Sequence, residues 1–88
     1  MTDAYGVAAF RSRQQVLRFE DKLKQRGVPV QIITTPRAIS MGCGLSVRFP
    51  LEGANRVRQA LREENPTNLI GVYRAEYDGH RLGLSPLR

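Results

Sequence analysis

The chain has 88 residues, enough for one small domain and too few for two. Hydrophobic residues make up 41% and charged residues 25%, which excludes wholesale disorder, and a single cysteine excludes a disulfide scaffold. Fourteen Lys and Arg against eight Asp and Glu give a net charge of +6, a balance that favours acidic partners or phosphate. The longest apolar run, Val7 to Phe10, falls far short of the roughly 20 residues a membrane-spanning helix needs. Met1-Thr2-Asp3-Ala4 lacks the basic and apolar regions of a secretory signal. With one unpaired thiol, a reducing cytoplasm is the expected compartment.

Ala4 to Phe10 is short and apolar and predicts a strand. Ser12 opens a helix, with Ser12 and Gln15 spaced as a capping box. Val16, Phe19 and Leu23, with Leu17 beside them, form its apolar stripe. Gly27 ends the helix, because glycine enters the left-handed position without steric penalty. Val28, Val30 and Ile32 alternate and predict a second strand, and Pro29, with no N–H to donate, puts it at a sheet edge. A loop follows from Thr34 to Gly44. Leu45, Val47 and Phe49 alternate with Ser46 and Arg48 as a third strand, which Pro50 stops.

Glu52 suits the positive start of a second helix, whose stripe is Ala54, Val57, Ala60 and Leu61 and whose end is Asn65-Pro66. Leu69 to Tyr77 reads as a fourth strand and Asp78-Gly79 as a turn. The expected fold is therefore α+β, a ferredoxin-like βαββαβ arrangement. Its four-stranded antiparallel sheet carries two helices on one face and strands one and three in the middle. Residues 1–79 form this single domain, and residues 80–88 are a loosely ordered tail; the alternative is a tail that pairs as a fifth strand.

The chemistry concentrates in the loop. Cys43 stands between Gly42 and Gly44, so no neighbouring side chain shields its sulfur. The thiolate is the nucleophile, and a free thiol pKa of about 8.5 leaves little of it at neutral pH. Arg37, six residues earlier, can fold back and stabilise the anion, and the bare N–H groups of a curled backbone do the same. That combination suits a thiol that accepts a sulfur or selenium atom and relays it. The competing reading is a buried, inert cysteine, with the glycines serving a tight turn or bulge.

Thr35-Pro36-Arg37, then Ile39-Ser40, then Cys43-Gly44 entering the strand that ends at Phe49 form a connected pattern. Phe10, Glu20, Leu23 and Gly27-Val28-Pro29-Val30 support it. On these residues the chain resembles the selenium/sulfur carrier protein-like family, from Val7 through about Tyr73. Members of that family often carry Pro at the position of Thr34 and Glu at that of Ala38, both replaced here. The resemblance implies that Cys43 carries the chalcogen, as a carrier thiol rather than a turnover enzyme. Thr35, Pro36, Ser40, Gly42 and Gly44 would shape the loop. The partners implied are a protein donor and a protein acceptor of sulfur or selenium.

No cofactor is expected, and no metal, since Cys43 and the lone His80 cannot make an ordinary zinc site. Gly42-Cys43-Gly44 lacks the third glycine of a dinucleotide fingerprint and opens a strand rather than a helix. Arg18, Lys22 and Arg26 recur at four-residue spacing on the first helix and offer a stripe for docking an acidic protein surface. A second reading is a non-catalytic basic binding module for an acidic protein or nucleic acid phosphates. Nucleic acid is the less expected partner, because the third strand shows Ser46 and Arg48 on its outer face and no aromatic. A third reading is a homodimer paired through the sheet with Cys43 buried.

Overall fold

The computed structural model describes residues 3–39, 44–77 and 79–87. In chain order the elements are β1 (Asp3–Phe10), α1 (Arg13–Gln25), β2 (Gln31–Thr34), β3 (Leu45–Phe49), a single 3-10 turn (Leu51–Gly53), α2 (Ala54–Glu64), β4 (Leu69–Tyr77) and β5 (Leu82–Pro86). The sheet is antiparallel, in the order β2-β3-β1-β4-β5. Among the described residues no helix is long and apolar enough to cross a membrane.

β1 lies at the centre because its residues can be buried on both faces. Val7, Ala8, Ala9 and Phe10 are all fully buried. One face of the sheet presents Ala8, Phe10, Val47 and Phe49 to Val16, Phe19 and Leu23 of α1 and Val57 and Ala60 of α2. These side chains form one apolar core, and a fully buried Val, Leu or Phe contributes roughly 1.5–3 kcal/mol. Phe10 and Phe19 meet with ring centroids 5.3 Å apart and planes tilted by 52°. Gly6 is dictated by close approach, since a Cβ there would overlap the ring of Phe49.

α1 begins as its sequence demands. Ser12 is extended, and its Oγ accepts a hydrogen bond from the N–H of Gln15 at 3.4 Å. The other half of the expected capping box does not form. The Gln15 side chain instead donates to Thr67 Oγ1 and accepts from the N–H of Asn68, tying α1 to the α2–β4 turn. Val16, Phe19 and Leu23 are buried, but Leu17 points to solvent with 48% exposed. Gly27 follows with φ +79°, and Asn65 ends α2 in the left-handed region at φ 44°.

Two expectations are corrected. β2 lies at the sheet edge as expected, but it begins at Gln31, so Pro29 is outside the ladder and its missing N–H does not set that position. Val28 is buried ahead of the strand, in the core, where its alternation with Val30 looks like strand periodicity. The sheet also has five strands, not four. Leu82–Pro86 pairs along β4, from Tyr77↔Leu82 to Tyr73↔Pro86, which is the alternative arrangement of a tail that pairs as a fifth strand. Leu87 continues the pairing through its N–H to the carbonyl of Val72 at 2.9 Å and packs against the core.

Candidate functional site

Three strand ends meet at one end of the sheet. Phe10, the last residue of β1, and Thr34, the last of β2, both pair with Leu45, the first of β3. The β1–α1 turn and the β2–β3 loop therefore leave the sheet side by side. Between them lies an open cleft of about 420 Å³, lined by Arg11, Arg13, Thr34, Gly44 and Leu45. Arg11 and Arg13 are exposed, and neither has a carboxylate partner among the described residues. The positive end of the α1 dipole faces the same region.

The base of the β2–β3 loop is pinned on both of its strands. The Thr35 N–H donates to the carbonyl of Gly44 at 3.0 Å. Thr35 is buried, 4% exposed, and its hydroxyl lies 2.7 Å from that of the fully buried Ser46. Gly44 fits closely against this pair, since a Cβ there would lie 3.1 Å from Thr35 Oγ1. Pro36 to Ile39 then forms a turn closed by the Ile39 N–H on the Pro36 carbonyl at 2.9 Å. Arg37 occupies the turn and is exposed.

Of the residues singled out in the sequence, Thr35, Pro36, Arg37 and Gly44 thus belong to one loop base. Ser40, Gly42 and Cys43 lie outside the described residues. On α1, Arg18 is exposed and Lys22 half-buried. Arg26 is engaged within the chain, donating to Glu63 Oε1 at 2.8 Å. That hydrogen bond holds the Glu63 carboxyl below its ordinary range and raises the Arg26 guanidinium above its own.

Sequence reasoning missed Arg11 and Arg13, which stand 32 and 30 residues before Cys43 in the chain. Only the Phe10–Leu45 pairing brings them to the loop, and no local pattern announces that register. It also missed the structural role of Ser46, which reads as an outward-facing strand residue and is buried under the loop base. Among the described residues no group of three or more His, Cys, Asp or Glu could hold a metal ion.

No curated protein and no solved structure is similar enough to count as a relative. Residues 5–74 match the family described as "Putative Se/S carrier protein-like", a span that runs from within β1 through most of β4 and contains the whole β2–β3 loop. The chain, matched over most of its length, belongs to that Se/S carrier protein-like family.

Proposed function

We propose that this protein is a small thiol carrier that accepts a sulfur or selenium atom on Cys43 and passes it on. The observation that carries the reading is membership of the Se/S carrier protein-like family over residues 5–74, with the chain's one cysteine inside that span. The loop base supports it. Cys43 is joined by one peptide bond to Gly44, and Gly44 lines a cleft that also holds Arg11 and Arg13. Guanidinium charge near a thiol favours the thiolate, which is the form that reacts. Arg37 in the adjacent turn adds to the same field.

The transfer itself is thiol–persulfide exchange. The Cys43 thiolate attacks the terminal sulfur of a donor persulfide, the donor S–S bond breaks, and the donor leaves as a thiolate. A new S–S bond joins that sulfur to Cys43, with no net gain or loss of electrons. Delivery is the same exchange run onto an acceptor. Donor and acceptor are proteins able to bring a sulfur to an open cleft, and such chemistry belongs in a reducing compartment. The order and direction of β1 to β4 support reading the chain from β1 through β4 as a ferredoxin-like unit to which β5 is added.

The test is to incubate the protein with a cysteine desulfurase and cysteine, then measure intact mass without reductant. A mass gain of one sulfur in the wild type, absent in Cys43→Ser and removed by dithiothreitol, is the expected result. No gain, under conditions that load an established carrier, overturns the reading.

A further inference from the structure

The side of the sheet away from the helices has a composition of its own. Side chains alternate along strands, so Val7 and Ala9 share a face with Tyr5 on β1. Pairing adds Gln31 and Ile33 of β2, and Ser46 and Arg48 of β3. It adds Tyr73, Ala75 and Tyr77 of β4 and Leu82, Leu84 and Pro86 of β5. All three tyrosines of the chain therefore lie on this face, although β3 contributes none. They surround Ala75, which is fully buried: Tyr5 stands opposite it, and Tyr73 and Tyr77 flank it along β4.

Tyr77 is exposed, and Tyr5 and Tyr73 are half-buried. Tyr73 lies back along its own strand, and a Cβ at Gly71 would meet its hydroxyl at 2.8 Å and its ring carbons at 3.0 and 3.1 Å. Gly71 is what allows that ring to lie flat. Tyr77 is 46% exposed. The Arg48 guanidinium sits 3.9 Å from the centroid of the Tyr5 ring, a stacked cation.

Among the described side chains the charged group of this face is Arg48, and the register of β1 on β4 places Asp3 opposite Tyr77. Glu20, Asp21, Glu52, Glu63 and Glu64 belong to the helical layer, and Glu76 points to the helix side of β4. Bases stack on aromatic rings whatever their sequence, and phosphates complement guanidinium groups.

We propose that this helix-free face is a stacking platform for single-stranded nucleic acid, with bases on Tyr73 and Tyr77 and phosphate on Arg48, which stacking on Tyr5 holds in place. The platform is independent of the thiol chemistry proposed above. Tyr73 and Tyr77 are about 13 Å apart along β4, enough to hold separate bases.

Fluorescence anisotropy with short labelled oligouridylate and oligothymidylate, and with a duplex hairpin of equal length, tests it on the full chain. Both single strands should bind in preference to the duplex and weaken steeply with added salt; a clear excess of one over the other identifies RNA or DNA as the ligand. Tyr77→Ala should weaken binding roughly 5- to 150-fold, Tyr77→Phe should retain it, and Arg48→Gln should weaken it and flatten the salt dependence. Tyr77 is half-exposed, and circular dichroism checks that its variants remain folded. Cys43→Ser should bind like wild type, so failure of sulfur loading leaves this result readable. Absence of binding, unchanged affinity in both Tyr77→Ala and Arg48→Gln, equal binding to the duplex, or a sheet-face dimer that Tyr77→Ala dissociates would each overturn the proposal.

Discussion

The hydroxyls of Thr35 and Ser46 lie 2.7 Å apart in the buried layer beneath the β2–β3 loop, eleven residues apart in sequence. One hydroxyl donates and the other accepts, so each satisfies its neighbour where water does not reach. Ser46→Ala leaves the Thr35 hydroxyl buried without that partner, at a cost of about 1–3 kcal/mol. Thr35→Val together with Ser46→Ala removes both polar groups and should recover part of the loss. Urea denaturation of the two single variants and the double variant gives the coupling. Strictly additive losses would show that the two hydroxyls do not depend on each other.

The contact between Gly6 and Phe49 yields a second expectation. Phe49 is 1% exposed and its ring occupies the space a Cβ at residue 6 would take. Gly6→Ala must therefore displace a core ring or open the β1–β3 pairing. Overpacking of this kind costs typically about 1–3 kcal/mol. Gly6→Ala combined with Phe49→Leu should be less destabilised than the sum of the two changes, measured by thermal unfolding. A Gly6→Ala variant as stable as wild type would contradict the packing described.

How far the sequence speaks depends on whether the deciding contact is local. α1 was legible because Ser12, the Val16-Phe19-Leu23 stripe and Gly27 act within a few residues of each other. β3 was legible because Leu45, Val47 and Phe49 alternate without exception. β2 was displaced because Val28 is buried by the core without belonging to the ladder, and burial alone mimics strand alternation. β5 rests on two leucines with Gly83, Ser85 and Pro86 around them, residues of poor strand propensity that pair because β4 offers an edge. The loop announced itself through Thr35-Pro36-Arg37 and Cys43, but Arg11 and Arg13 join it only through strand register. The tyrosine face was hidden for the same reason, since judging it from β3 alone omits β1 and β4.

The Arg26–Glu63 pair gives a pH dependence whose sign is fixed. The hydrogen bond from Arg26 lowers the folded-state pKa of Glu63 below its ordinary value. Such a group adds stability above the unfolded carboxylate pKa, and that increment disappears as pH falls through the lower folded value. Arg26, raised further from an already high value, stays charged throughout and adds no second inflection. Wild type should therefore exceed Glu63→Gln by a small constant margin at neutral pH, and the margin should vanish in strong acid. Both partners are at the surface, so added salt should shrink it as well. Urea midpoints across the acid range measure the difference; a margin that grows on acidification contradicts the pairing.

β5 and Leu87 lie beyond the family match, yet they close the β4 side of the sheet and complete the core. Removing residues 80–88 should bare the β4 edge and the core surface that Leu87 covers. Exposed edges pair with other chains, so the truncated protein should unfold at lower temperature and elute as oligomers at concentrations where the full chain elutes as a smaller species. Equal melting and elution of the two forms would show that the fifth strand is dispensable.

The last expectation joins the cleft to the thiol. Arg11 and Arg13 line the cleft with Gly44, and no carboxylate among the described residues neutralises them. If their field acts on Cys43, the apparent thiol pKa lies below the free value of about 8.5. Iodoacetamide alkylation followed against pH reads that value directly. Arg11→Gln and Arg13→Gln should each move the inflection upward, and the double variant further, because removing positive charge disfavours the thiolate. Arg62→Gln, an exposed arginine on α2 that does not line the cleft, removes the same charge from the molecule and should leave the inflection in place. Added salt should move the wild type toward the double variant, since both weaken the same field. An inflection at the free value in the wild type and in all three cleft variants would remove the cleft arginines from the chemistry while leaving the family relationship untouched. An equal upward shift in Arg62→Gln would assign the effect to net charge rather than to the cleft.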